Sequence, residues 1–165
     1  SVRSYAKEQK LKKSPLSVNE VVTEAVKDFT STLQDYPLQI EFEEDPRSPI
    51  CSLAPLEFEL AVFNLLKNAK EALKAQKADE PKVFIKISSG ETHCFVDISD
   101  NGAVISDSDF ERMGSVFKSG KASGLGIGLS IVRSIVQNHN GSLVLERGKN
   151  GGLVCRIRLP IFNAE

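Results

Sequence analysis

A chain of 165 residues and 18.1 kDa is long enough for one domain whose core needs neither disulfides nor metals. Hydrophobic residues at 41% and charged residues at 26% exclude bulk disorder and fibrous classes, and 21 Lys plus Arg against 22 Asp plus Glu give no global attraction to nucleic acid or anionic membrane. Cys51, Cys94 and Cys155 are widely spaced with no Cys-x-x-Cys, which argues against a disulfide framework or zinc site and for a reducing, cytoplasmic setting.

Residues 1–14 carry Arg3, Lys7, Lys10, Lys12 and Lys13 against a single Glu8 and have too few apolar positions for a core. They are expected to be the tail of an upstream helix and a linker, with the domain over 15–162. The opening Ser1-Val-Arg-Ser-Tyr-Ala6 has no signal-peptide character, and no apolar run approaches the ~20 residues of a membrane span. Ser17-Val-Asn-Glu20 forms a capping box, and Val18, Val21, Val22, Ala25, Val26 and Phe29 keep helical spacing, predicting a helix to about Leu33. Leu38, Ile40 and Phe42 alternate with polar residues as in a half-buried strand. Pro55 opens a long helix to about Gln76, its apolar stripe running through Phe58, Ala61, Val62, Leu65, Ala69, Ala72 and Leu73, with Glu57, Asn64, Asn68 and Glu71 along one edge.

Residues 83–87 and 94–98 alternate as two strands joined by a turn at Ser88-Ser-Gly90. A short amphipathic piece covers 107–113, and 114–123 is expected to be a loop. A second strong helix starts near Gly126, carries Leu129, Val132, Ile135, Val136 and His139 on one stripe, and stops at a left-handed cap, Asn140-Gly141. Strands at 143–146 and 153–159 close the chain. The order αβα, ββ, α, ββ predicts an α+β fold, a two-layer sandwich with a mostly antiparallel sheet covered by helices on one face.

Three features can carry chemistry. Gly124-Leu-Gly126-Ile-Gly128-Leu129 opens a helix, where free N–H groups and the helix dipole favour an anion, phosphate above all. The spacing fits neither a Rossmann fingerprint nor a P-loop, and a flexible loop running into a helix explains the glycines equally well. Asn64 and Asn68 stack on one helix face, where two amides at the edge of a buried stripe either bind a ligand or metal or satisfy nearby backbone. Asp100-Asn101-Gly102 follows a strand and reads as a tight turn or as a carboxylate placed to accept from a base edge.

The order of these features resembles the ATP-binding domain of sensor histidine kinases, within the group that includes type II topoisomerases, Hsp90 chaperones and MutL repair proteins. Asn64-Leu-Leu-Lys-Asn68-Ala-Lys-Glu-Ala72 matches the N box, Asp100-Asn-Gly102 the first Gly box, Phe117-Lys-Ser-Gly-Lys121 the F box and lid lysine, and Gly124 to Leu129 the second Gly box. The resemblance covers about residues 15–160. It departs from the family pattern at Val104, where a glycine is usual, and at Lys118, Ser119 and Gly120 in the F box.

The resemblance implies ATP and Mg²⁺ as cofactors, with Asn68 as metal ligand and Asn64 supporting metal or phosphates. It implies Asp100 as the adenine-reading carboxylate, Gly102 as the close-packing position under the base, and Lys121 with Gly124, Leu125, Gly126, Gly128 and Leu129 as phosphate cradle and lid. The implied partners are a dimerisation and phosphoacceptor domain of the same kinase and, indirectly, a response regulator. Homodimerisation is expected of the intact protein, with no nucleic acid and no direct membrane contact by this domain. His93 and His139 read as structural, so the phosphoacceptor histidine is expected outside this chain. An ATPase switch of the chaperone or topoisomerase type and a non-catalytic nucleotide-binding scaffold are the rival readings. Asn64 weighs against the first, because hydrolytic relatives carry a glutamate there.

Overall fold

The computed structural model describes residues 12–119 and 125–163. Ser17 caps the first helix, α1 (Val18–Thr30), its Oγ accepting from the Glu20 N–H at 3.3 Å, and Val18, Val22, Ala25 and Phe29 are buried beneath it. Strand β2 (Gln39–Glu43) follows, then α2 (Pro55–Ala75), which starts on its proline and buries Phe58, Val62, Leu65, Leu66 and Leu73. A hairpin joins β4 (Lys82–Ser89) to β5 (His93–Asp100), closed by the Gly90 N–H on the His93 carbonyl at 2.9 Å. Helices α3 (Asp107–Ser119) and α4 (Leu125–Asn138) and strands β6 (Ser142–Arg147) and β7 (Leu153–Pro160) complete the described chain.

The main sheet has the order β2-β4-β5-β7-β6, parallel between β2 and β4 and antiparallel elsewhere. Its register aligns Ile85 with Ile98 and Ile98 with Cys155, and one row further Ile87 with Val96 and Val96 with Ile157. Period-two alternation therefore stacks every apolar row on one face, where α2 and the buried Leu129, Val132 and Val136 of α4 cover it. The opposite face is a polar mosaic, with Arg156 bidentate on Asp97 at 2.8 and 2.9 Å. The predicted two-layer α+β sandwich is the observed architecture.

Several boundaries differ from expectation. Strands β1 (Ser14–Ser17) and β3 (Ile50–Leu53) form a separate antiparallel pair, so Ser14 belongs to the folded body and not to the linker. Each strand is four residues long, too short for alternation to register. Helix α1 ends at Thr30 rather than Leu33, in turns where the Thr32 N–H donates to Phe29. Ser88 and Ser89 continue β4 rather than turn, and residues 114–119 extend α3 where a loop was expected. Asn140 takes the left-handed conformation at φ 58°, as expected of the α4 cap. No described helix is long and apolar enough to cross a membrane.

His139 sits one residue past α4 and is buried. Its Nε2 accepts from the Ala54 N–H at 3.0 Å, so the neutral ring carries its proton on Nδ1 and donates to the Ile135 carbonyl at 2.8 Å. The ring thus bolts the end of α4 to the residue preceding α2. All three cysteines are free and buried.

Candidate functional site

Helix α2 packs on the sheet beside α4, and a cavity opens where its C-terminal half meets the ends of β5 and β7. Ala69 and Ala72 of α2, Ile98 of β5, Met113 of α3, Leu129 of α4 and Leu153 of β7 give it apolar walls. Two alanines on the α2 face leave room that a larger residue would fill, so the slot suits a flat apolar body. Asn68 and Asp100 are polar groups in this lining, which is the usual composition of a small-molecule site.

Asp100 is the last residue of β5. Its Oδ1 accepts from the Gly102 N–H at 2.8 Å and its Oδ2 from the Leu153 N–H at 3.3 Å. Burial pushes this carboxyl above the ordinary carboxylate range, while the two backbone donors pull the other way. Two bonds leave lone pairs over, so the carboxylate can still accept from a ligand in the slot. A Cβ on Gly102 would lie 2.7 Å from Asp100 Oδ1 and 2.8 Å from Gln76 Oε1, so a side chain there would push the Asp100 carboxylate and the Gln76 amide out of their present places. Gly152, at φ 75°, presses on the same residue: a Cβ there would come within 2.1 Å of the Asp100 carbonyl oxygen.

At the other end of the slot, α2 and α4 approach closely enough that a Cβ on Gly128 would stand 2.9 Å from Asn68 Oδ1 and 3.0 Å from its Nδ2. The Asn68 Nδ2 is buried without a hydrogen-bond partner. A buried donor left open costs about 1–3 kcal/mol unless a ligand satisfies it, and this one faces the glycine-rich start of α4.

The structure therefore brings together Asn68, Asp100, Gly102, Gly128 and Leu129. Asn64, half-buried one turn earlier on α2, lies outside the cavity lining. Lys121 and Gly124 lie outside the described residues, and Leu125 and Gly126 are described only as the first turn of α4. Val104 is 79% exposed with a backbone outside the left-handed region, so valine fits its position without strain. Sequence reading missed Gln76, whose Oε1 accepts from the Ala103 N–H at 2.8 Å, and the Gly151-Gly152 turn. The Gly-Gly pair before the last strand was an available signal; for Gln76 there was none.

Residues 54–163 match the family described as histidine kinase-, DNA gyrase B- and HSP90-like ATPase. The chain belongs to this family. It is 26% identical over 159 residues to the sensor protein FixL of Bradyrhizobium diazoefficiens, covering 96% of this chain and 31% of that protein. It is 26% identical over 160 residues to the C4-dicarboxylate transport sensor protein DctS of Rhodobacter capsulatus, covering 97% of this chain and 24% of that protein. The chain thus spans less than a third of the length of these curated relatives. The ATP-binding domain of PrrB from Mycobacterium tuberculosis superposes with a TM-score of 0.70 at 25% identity, covering 92% of this chain and 98% of that one. The catalytic domain of the histidine kinase ThkA reaches a TM-score of 0.77 at 23% identity, covering 91% and 96%, and shows the same fold. Within the family this is an ATP-binding domain of the sensor histidine kinase type.

Proposed function

We propose that this domain binds Mg²⁺-ATP and donates its γ-phosphoryl group to a histidine on a dimerisation domain outside residues 15–162. The observation that carries the reading is the slot with an accepting carboxylate at one end, Asp100, and the amide of Asn68, whose buried Nδ2 has no partner, at the other. Adenine fits the first end: its exocyclic amine donates to Asp100 while its faces lie against Ala69, Ala72 and Leu129. The residues at the second end fit a hard cation, because the Asn68 amide offers one oxygen ligand and Mg²⁺ characteristically takes few protein ligands beside waters and phosphate oxygens. When bound, the ion supplies charge neutralisation to the transferring phosphoryl group.

The chain's own residues then have distinct tasks. Asp100 selects and orients the base, Gly128 keeps α4 against the Asn68 amide, and the first N–H groups of α4 with Lys121 hold phosphate oxygens. Asn64 has no useful basicity near pH 7, so a nearby water keeps its proton and ATP persists until a histidine arrives. His139 does not serve as that nucleophile, since the Ala54 N–H occupies its Nε2. The proposed setting is the cytoplasmic part of a homodimeric sensor whose phosphoryl group passes on to a response regulator. ThkA, whose catalytic domain shares this fold, has been seen in complex with a response regulator protein.

Incubation of this chain with γ-labelled ATP and a separate helical hairpin carrying the kinase's acceptor histidine tests the reading. Acid-labile label is expected on the hairpin and none on this chain. Label on His93 or His139, or steady phosphate release without transfer, would contradict it.

A further inference from the structure

Helix α3 forms one wall of the slot through Met113, yet none of its described side chains is buried; Phe110 and Met113 are only partly covered. Over residues 107–115 the helix therefore has only partial burial to hold it against the body, so polar contacts at its start carry weight in placing it. Its start is capped locally, with Ser106 Oγ accepting from the Asp109 N–H at 3.1 Å, which fixes the helix but not its place on the body. The described cation that reaches this end of α3 from the sheet is Arg147, the last residue of β6.

Arg147 makes three contacts at once. Its Nη1 donates to the Ile105 carbonyl at 3.2 Å and to Asp107 Oδ1 at 2.5 Å, and its guanidinium lies 5.2 Å from the centroid of the Phe110 ring. Ile105 lines the slot, and Phe110 stands three residues before Met113 on the same helix. The hairpin that presents Arg147 also carries Gly152, which is pressed against Asp100. One hairpin thus touches both the base-reading carboxylate and the wall formed by α3.

We propose that Arg147 is a positioning residue for nucleotide binding, locking the start of α3 so that Ile105 and Met113 close the base slot. The inference rests on the nucleotide reading given above. An isolated exposed ion pair contributes little, but a guanidinium that combines a carbonyl, a carboxylate and a ring face engages three separate points of one segment. Lysine keeps the charge and loses the planar stack, so it substitutes only in part.

The test is calorimetric ADP binding to the unmodified chain, Arg147→Ala and Arg147→Lys, with hydrogen exchange followed in the absence of nucleotide. The expected result for Arg147→Ala is affinity weaker by roughly three- to tenfold, with faster exchange over residues 105–113 and unchanged exchange in α2 and β5. Arg147→Lys is expected between the two. A folded Arg147→Ala that binds ADP as tightly as the parent would overturn the proposal and leave the nucleotide reading standing. If its exchange rises throughout α2 and β5 as well, Arg147 is a general stabiliser and the proposal also fails. Absence of ADP binding by the unmodified chain would defeat the nucleotide reading itself, before any substitution is made.

Discussion

Asn68 carries the chemistry of the phosphate end on one amide. Its Nδ2 is buried without a partner, and the amide lies so close to Gly128 that a side chain there would collide with it. Asn68→Ala removes the proposed metal ligand, and ATP affinity in that variant is expected to lose its dependence on Mg²⁺. The check is a titration with and without the ion; an undiminished Mg²⁺ effect would remove Asn68 from its role. Asp100 governs the other end. Its carboxylate accepts from the adenine amine but would oppose the carbonyl of guanine, acceptor against acceptor. Asp100→Asn supplies an amide that can donate, so the preference for ADP over GDP should fall by about tenfold or more, read from the two dissociation constants. Equal discrimination in both proteins would contradict the assignment.

At the scale of elements, the joint between α4 and α2 depends on a neutral imidazole. Burial lowers the pKa of His139, with Lys13 acting in the same direction and the Ile135 carbonyl and Glu57 acting against it. A folded pKa below the unfolded value means that the unfolded chain takes up the proton first. The stabilisation is therefore fully present above the unfolded pKa of about 6.5 and is lost as pH falls from there toward the folded value. Denaturant unfolding at pH 7.5 and pH 5.5 should show this loss. His139→Leu leaves the Ala54 N–H unpaired, at a cost of about 1–3 kcal/mol at neutral pH, and should flatten the dependence over the same window; a slope equal to the parent's would assign the titration elsewhere. The α4 stripe and its Asn140-Gly141 cap were legible in the sequence because the helical period and the cap residue agreed. The bond from Ala54 to His139 was not, because it joins residues 85 apart and has no local signature.

Across the whole molecule, legibility follows the length of the repeating pattern. The central strands are each eight residues long and alternate over most of that length, and the alternation specified their buried face. The parallel pairing of β2 with β4 and the β1–β3 pair depend on contacts distant in sequence, so periodicity could not give them. The same contrast runs through the site. Asn68, Asp100 and the glycines stand in motifs whose order was readable, whereas Gln76, Gly152 and Arg147 act through tertiary approach and share no spacing with the rest.

The central claim is that this fold presents an adenine-nucleotide site. Titration of the chain with Mg²⁺-ADP by calorimetry, with Mg²⁺-GDP as control, tests it most directly. One site per chain is predicted for ADP, with binding that stabilises the folded state by about 2.7 kcal/mol at a free ligand concentration one hundred times the dissociation constant, and much weaker binding for GDP. No saturable heat with ADP, or equal affinity for the two nucleotides, would contradict the account.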